Sequence, residues 1–294
     1  MAKDIIIGID AGTSILKVVA FTLNGKEIAS SSIKNIYKTS HGGQATQSLN
    51  TTWKNCIKII SELKNKINNF KDRVAIISVT GQGDGTWLID KKGKPVCDAW
   101  LWLDSRSSDI VKKLSKLNSE KFRFDLTGTG IFAGQQSSQI SYMNKNNPEI
   151  LDQSSTAFHC KDWIYFKLTN VRATDPSEAC FTFGNFRTRQ YDENVINGLG
   201  LSKRKNLLPD IIDGSKVTHP LSDNVATLIG LNSGTPIALG YIDAVCTFLG
   251  SGGLDINKDV GNSILGTTGG HMKATEVSQI VPNSNLKSGY IMLL

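Results

Sequence analysis

The feature that most constrains this chain is the stretch IIIGIDAGTSILKVVAFTLNGKEI, residues 5–28. Ile5–Ile9, Leu16–Leu23 and Lys26–Ile33 read as extended segments, and Asn24-Gly25 between the second and third is a strong tight-turn signal. The pattern predicts an antiparallel meander. Its first turn is the unusual one, because an apolar strand stops at Asp10, Ala11, Gly12 and Thr13 and then resumes. Gly12 suits a turn that leaves no room for a side chain, and successive N–H groups in such a turn can face an anion. Thr13 adds a hydroxyl, and Asp10 can hold Mg²⁺ directly or through water. An ordinary Asp-Gly hairpin is the other reading of these residues.

Further along, the period alternates between strand and helix. Trp53, Cys56, Ile57, Ile60, Leu63 and Ile67 recur at helical spacing, which predicts an amphipathic helix over 51–70. Val74–Val79 is a β-branched strand that ends at Gly81. Trp87–Asp90 and Pro95–Leu103 are extended around a Lys-Lys-Gly turn, and Ile110, Val111, Leu114 and Leu117 return to helical spacing. Residues 119–160 read as mostly helical and 176–235 as less regular, with a short helix at Leu221–Ile229. Pro236–Tyr241 is an apolar strand, a helix begins at Ala244–Leu249, and Val260–Leu265 and His271–Ala274 flank the sequence GTTGG. The class is α/β.

Composition removes several functions. A chain of 294 residues, 39% apolar and 20% charged, is globular and long enough for one large domain and part of another. Five scattered cysteines, never spaced as C-x-x-C, argue against a disulfide framework or a zinc site. The formal charge of +7 comes mostly from lysines dispersed at polar helical positions, such as Lys58, Lys64, Lys112 and Lys116, so no nucleic-acid partner is expected. The N-terminus has neither the apolar core of a signal peptide nor a membrane span, so a cytoplasmic protein with no membrane partner is expected. His41, His159, His219 and His271 are unpaired in sequence and read as surface or satisfied buried imidazoles.

Five further motifs carry chemistry. SILGTTGGHM repeats the logic of the first turn: a strand, Gly266, Thr267, Thr268, Gly269, then another extended segment. SVTGQGDG presents Gln82 and Asp84 in a loop after a strand. In WLWLDSRS, two-residue alternation puts Trp102 and Asp104 on one strand face with Arg106 just beyond. Trp offers an apolar wall to sugar C–H faces, Asp accepts hydroxyls and Arg supplies a fork of donors. A helix cap at Asp104 and a surface ion pair at Arg106 are the plainer alternatives. In TDPSEACFTFGNF, Asp175 precedes a proline and reads as a turn residue that supports the cleft. PIALGYIDAVCTFLGSG delivers Asp243 at the carboxyl end of a strand, where α/β sheets present functional groups. Asp243 also suits a helix cap, a role that would lower its pKa.

Together these motifs resemble the FGGY carbohydrate kinases of the sugar-kinase, actin and Hsp70 superfamily. IGIDAGTSILKVVAF is similar to the first phosphate motif and SILGTTGG to the second, and the intermediate motifs follow in family order. The resemblance implies two ribonuclease H-like domains, each a mixed sheet flanked by helices, with ATP in the cleft between them. Residues 1–253 would form the sugar-binding domain and 254–294 the start of the nucleotide-binding domain. It assigns sugar contacts to Gln82, Asp84, Trp102, Asp104, Arg106 and Asp243. Phosphate contacts fall to Gly12, Thr13 and Gly266–Gly269, Mg²⁺ to Asp10, and the general base to Asp243 through the motif G-x-x-D.

Many family members carry His where Asp84 stands, a departure that argues against the commonest ketose specificity. The GQGDG loop and TDPSEACFTFGNFRTR are closer to the erythritol and L-xylulose branches than to the glycerol and D-xylulose branches. The implied reaction is ATP-dependent phosphorylation of a small sugar or polyol, with a homodimer as one admissible assembly. Because family members are much longer and SGYIMLL ends as an uncapped apolar segment, the chain reads as truncated, with weak ATP affinity and little turnover by itself. Two alternatives stand beside this: a sugar-binding or regulatory protein without kinase activity, and an actin-like or Hsp70-like ATPase, against which W-x-D-x-R speaks.

Overall fold

Strand alternation in the first element decides the two faces of the central sheet. Ile5, Ile7, Ile9 and Ala11 of β1 (Ile5–Ala11) are buried, whereas Ile6, Gly8 and Asp10 point the other way. The structure, a computed structural model, describes residues 3–255, 260–265, 269–283 and 289–294. As expected, β1 pairs antiparallel with β2 (Ile15–Thr22), and β2 with β3 (Glu27–Lys34). Parallel to β1 lies β4 (Val74–Gly81), and parallel to β4 lies β6 (Pro236–Leu239), with β5 (Thr218–Pro220) antiparallel at the far edge. The order is therefore β5-β6-β4-β1-β2-β3. Such an order, with antiparallel β2 inside a largely parallel core, is that of a ribonuclease H-like sheet.

Helix α1 (Leu49–Lys64) covers β2 and β3 through Leu49, Cys56, Ile59, Ile60 and Leu63, and Ser48 caps it by accepting from the Thr51 N–H. It ends earlier than its apolar spacing predicts, at Asn65, and Phe70 belongs to a separate short turn of helix. Helix α2 (Cys160–Thr169) packs on β1, β4 and β6 and touches α1. Sequence periodicity misses α2 because all but one of its residues are buried, including Lys161 and Asp162, so no polar face marks it. A short α3 (Pro176–Thr182) lies where an irregular segment is expected. Helix α4 (Asp243–Gly250) follows β6 as the sequence predicts. A second apolar cluster around Leu88, Trp100, Ile140, Met143 and Val195 lies outside the central-sheet core and draws on the helices of 136–153.

The extended reading of 95–103 holds only at Ala99–Trp100. Trp102 and Asp104 sit in a loop, not on a strand face, because Leu101 and Asp104 close a turn by their own backbone hydrogen bond. Near the C-terminus, Asn262–Leu265 and Gly269–Met272 pair antiparallel, so the second extended segment starts at Gly269 rather than His271 and ends at Met272 rather than Ala274. Gly266, Thr267 and Thr268 lie outside the described residues; Gly269 is exposed at the start of the second strand. The segment 289–294 returns to the body, where Leu293 is buried against Cys180 and Phe186. No helix among the described residues is long and apolar enough to cross a membrane.

Candidate active site

Three parallel strands end side by side, and each releases one predicted functional loop. Ala11 of β1 pairs with Gly81 of β4, and Leu239 of β6 with Val79. A Cβ on Gly81 would stand 2.9 Å from the Ala11 carbonyl oxygen, and one on Gly240 would stand 2.8 Å from that of Val79. Only glycine permits the strand ends to approach this closely. Beyond them run Gly12-Thr13, Gln82-Gly83-Asp84 and Ile242-Asp243, so a shared carboxyl edge brings together motifs far apart in sequence.

In the first loop, a Cβ on Gly12 would meet the Ile15 carbonyl oxygen at 2.8 Å, and Asn35 Nδ2 donates to the Gly12 carbonyl at 2.7 Å. Gly12→Ala is therefore expected to destabilise the chain by about 1–3 kcal/mol through forced backbone movement, measurable by urea denaturation. Thr13 Oγ1 donates to Gln82 Oε1 at 3.0 Å and accepts from Trp102 Nε1 at 2.9 Å, so the turn is tied to the two sugar motifs. Asp10 is exposed opposite Lys17 of β2. Desolvation at the cleft raises its carboxyl above the ordinary value, while Lys17 pulls it down.

The second loop holds a buried carboxylate. Asp84 is nearly inaccessible and has φ +54°, a left-handed conformation that non-glycine residues seldom adopt. Its Oδ1 has no hydrogen-bond partner among the described residues. Burial, and then the charge of Asp243, raise its carboxyl well above the usual range. Gln82 is committed to the protein: its Nε2 donates to Gln47 Oε1 at 2.9 Å while its Oε1 serves Thr13. Asp104 is equally engaged, accepting from the Ala45 N–H at 2.9 Å and from Arg106 Nη2 at 2.6 Å. Arg106 in turn stacks over Trp100, 3.3 Å from the ring centroid. The wall of Trp102 and the fork of Arg106 are thus both anchored before any ligand arrives.

Asp243 opens α4 as its first residue, and Ile242 occupies the cap position. Asp243 Oδ1 accepts from the Ala244 N–H at 2.7 Å. This contact lowers its pKa, as a cap is expected to, but burial outweighs it, and with the charge of Asp10 added the carboxyl is pushed up to about 6. That value suits a general base better than the sequence implied.

Beneath the cleft lies a group of charges that motif reading passed over. Lys161 is fully buried between Asp162 at 2.8 Å and Asp175 at 2.5 Å. Burial works against its charge, yet Asp162, Asp175 and Glu178 hold its pKa well above the lysine range. Asp162 also binds His159, with its Oδ2 accepting from the His159 N–H at 3.0 Å and facing Nδ1 at 3.1 Å. Burial would raise Asp162, but Lys161 and His159 hold it well below the ordinary carboxylate range. On the other side His159 Nε2 lies 3.6 Å from Glu178 Oε2, and burial pushes the Glu178 carboxyl up to about 8. The reading of His159 as a satisfied buried imidazole fits its Nδ1 side only, since Nε2 lacks a hydrogen bond among the described residues. Adjacent Lys161-Asp162 after an unpaired histidine was the available signal.

A mixed sheet that collects three polar loops at one carboxyl edge is the sugar-kinase fold. The structure superposes on the ligand-bound xylulose kinase of Lactobacillus acidophilus with TM-score 0.83 and 25% identity, over 92% of this chain and 53% of that one. A gluconate kinase from the same organism superposes equally well, over 90% and 53%. The chain belongs to the FGGY family of carbohydrate kinases, whose N-terminal domain matches residues 5–250. It is 51% identical to an erythritol kinase of Brucella abortus over 99% of its own length and 56% of that protein. An L-xylulose/3-keto-L-gulonate kinase of Escherichia coli is 25% identical, over 89% and 52%. The chain spans about half the length of the curated relatives it matches.

Proposed function

We propose that this chain is the sugar-binding lobe of an ATP-dependent kinase that phosphorylates a hydroxyl of a small polyol of the tetritol class. On this reading residues 1–253 form the acceptor lobe and 254–294 begin the nucleotide-binding lobe. The observation that carries it is the pair of carboxyls at the cleft, buried Asp84 with an Oδ1 unpartnered among the described residues and half-buried Asp243 with its raised pKa. A hydroxyl both donates and accepts, so it can satisfy Asp84 whether that carboxyl is protonated or ionised. A ketose carbonyl only accepts and meets only the protonated form. The likeness to the Brucella abortus erythritol kinase supports the tetritol over the pentulose.

Asp243 accepts the proton of the attacking hydroxyl, while Trp102 packs against the carbon chain and Arg106, held by Asp104, faces the polar edge. Phosphoryl transfer through a loose transition state depends mainly on positioning and charge stabilisation, so a base of pKa about 6 is sufficient. Gly12, Thr13 and residues Gly266–Gly269 are assigned to the ATP phosphates. Asp10, a carboxylate exposed at the end of β1, would hold Mg²⁺, an ion that in nucleotide sites takes one or two carboxylates and completes its shell with phosphate oxygens and water. When bound, the metal would neutralise phosphate charge.

Calorimetric titration and a coupled ADP-release assay across tetritols and pentuloses test this reading on the 294-residue chain. Saturable polyol binding with little or no ADP release is expected. Ordinary kinase turnover by the chain alone would contradict the division of labour between lobes, and an absence of polyol binding would contradict the acceptor site.

A further inference from the structure

The first turn of α3 touches both carboxylate-bearing loops of the cleft. Glu178 Oε2 accepts from the Asp84 N–H at 3.2 Å. One residue earlier, Ser177 Oγ accepts from the N–H of Ile242, the residue before Asp243, at 3.0 Å. The two loops also abut directly, since a Cβ on Gly83 would fall 1.8 Å from Ile242 Cδ1 and 3.2 Å from Glu178 Oε1. Asp84 and Asp243 therefore hang from adjacent residues of one helical turn.

That turn is itself held in a closed ring. Asp175 caps α3, its Oδ2 accepting from the Ser177 N–H at 2.8 Å and from Ser177 Oγ at 2.6 Å. Lys161 pairs with Asp175 and with Asp162, Asp162 fixes His159, and His159 Nε2 returns to Glu178. Every member of the ring is buried. Strain at the left-handed Asp84 persists only if its surroundings impose it, and the Glu178 contact is the bond that reaches its backbone.

We propose that Ser177 and Glu178 are positioning residues which fix the separation of Asp84 and Asp243 and so set the affinity of the cleft for its polyol. This rests on the polyol reading of the site. Neither residue touches the acceptor; each acts through the backbone of a loop that does. The charged ring behind them keeps the turn from moving when the cleft fills.

Residue-resolved amide exchange in the ligand-free chain, combined with calorimetric titration of meso-erythritol, tests the proposal. Glu178→Ala is expected to speed exchange at the Asp84 amide at least tenfold, and Ser177→Ala to do so at the Ile242 amide. Both variants should lose at least tenfold in polyol affinity. Glu178→Gln keeps an acceptor for the Asp84 N–H and should recover most of that affinity along with the exchange protection, which a merely space-filling role would not require. Should Glu178→Ala fail to fold, Ser177→Ala removes only one oxygen and carries the test. Unchanged exchange at both amides, or altered exchange with wild-type affinity, overturns the proposal. A wild-type chain that binds no polyol refutes the polyol reading instead, and the exchange pattern still decides whether the turn holds the two loops.

Discussion

Replacing Lys161 with alanine is expected to destabilise the chain by about 3–5 kcal/mol, the usual consequence of removing one partner from a buried ion pair. The ammonium sits out of water against Asp162 and Asp175, and its loss leaves those two carboxylates without their common cation. Much of this cost is the charge left behind. A variant that also carries Asp162→Asn and Asp175→Asn should therefore recover part of the loss, although Asp175→Asn weakens the cap on α3. Urea denaturation of the single and triple variants measures the difference. A Lys161→Ala chain within about 1 kcal/mol of wild type would show that water reaches the group freely and that the ring under the cleft is not rigid.

Asp243→Asn is the second large effect, and it acts in opposite directions on chemistry and on stability. In a chimaera joining this chain to the rest of the Brucella abortus erythritol kinase, turnover is expected to fall about 10²–10⁴-fold with polyol affinity within a few-fold of wild type, because a general base is lost and the pocket is not. A binding protein without kinase activity would show no turnover to lose. Stability should rise at neutral pH.

The folded carboxyl titrates at about 6 against an ordinary value of 3.8, so the folded state holds its proton more tightly than the unfolded state. The wild type is accordingly favoured below pH 4 and loses that advantage as pH rises through 6. A shift of this size corresponds to about 3 kcal/mol at most, and after allowance for partial solvent access a gain of about 1–3 kcal/mol is expected for Asp243→Asn at pH 7. Denaturation at pH 4 and pH 7 separates the pH-dependent part. The same titration predicts that kinase activity of the chimaera falls as pH drops through 6.

Local sequence signals were sufficient wherever neighbours in the chain are also neighbours in space. The meander of β1–β3 followed from period-two alternation and Asn24-Gly25, and the strands at 74–81 and 236–239 from short apolar runs closed by glycine. The carboxyl-edge position of Asp243 was legible for the same reason. What escaped was set by distant partners. Helix α2 hides Lys161 and Asp162 inside the core, where they look like surface residues until Asp175 is brought beside them by the fold. Trp102 and Asp104 alternate as a strand would, yet Asp104 folds back to the Ala45 N–H and ends the extended run. The net pKa of Asp243 was misjudged because a cap is a local feature, whereas burial and the charge of Asp10 are set by parts of the chain far away in sequence. Glu178 carries no motif of its own, and its importance appears only when the 82–84 loop is placed against α3.

Competitive calorimetric titration of the 294-residue chain tests most directly whether the cleft bearing Asp84 and Asp243 receives a small polyol. Meso-erythritol should bind saturably and at least tenfold more tightly than L-xylulose. Asp84→Gly, which keeps the left-handed backbone accessible while deleting the carboxyl, should abolish most of that binding. Equal affinity for the pentulose, or full tetritol affinity in the Asp84→Gly chain, would contradict the account.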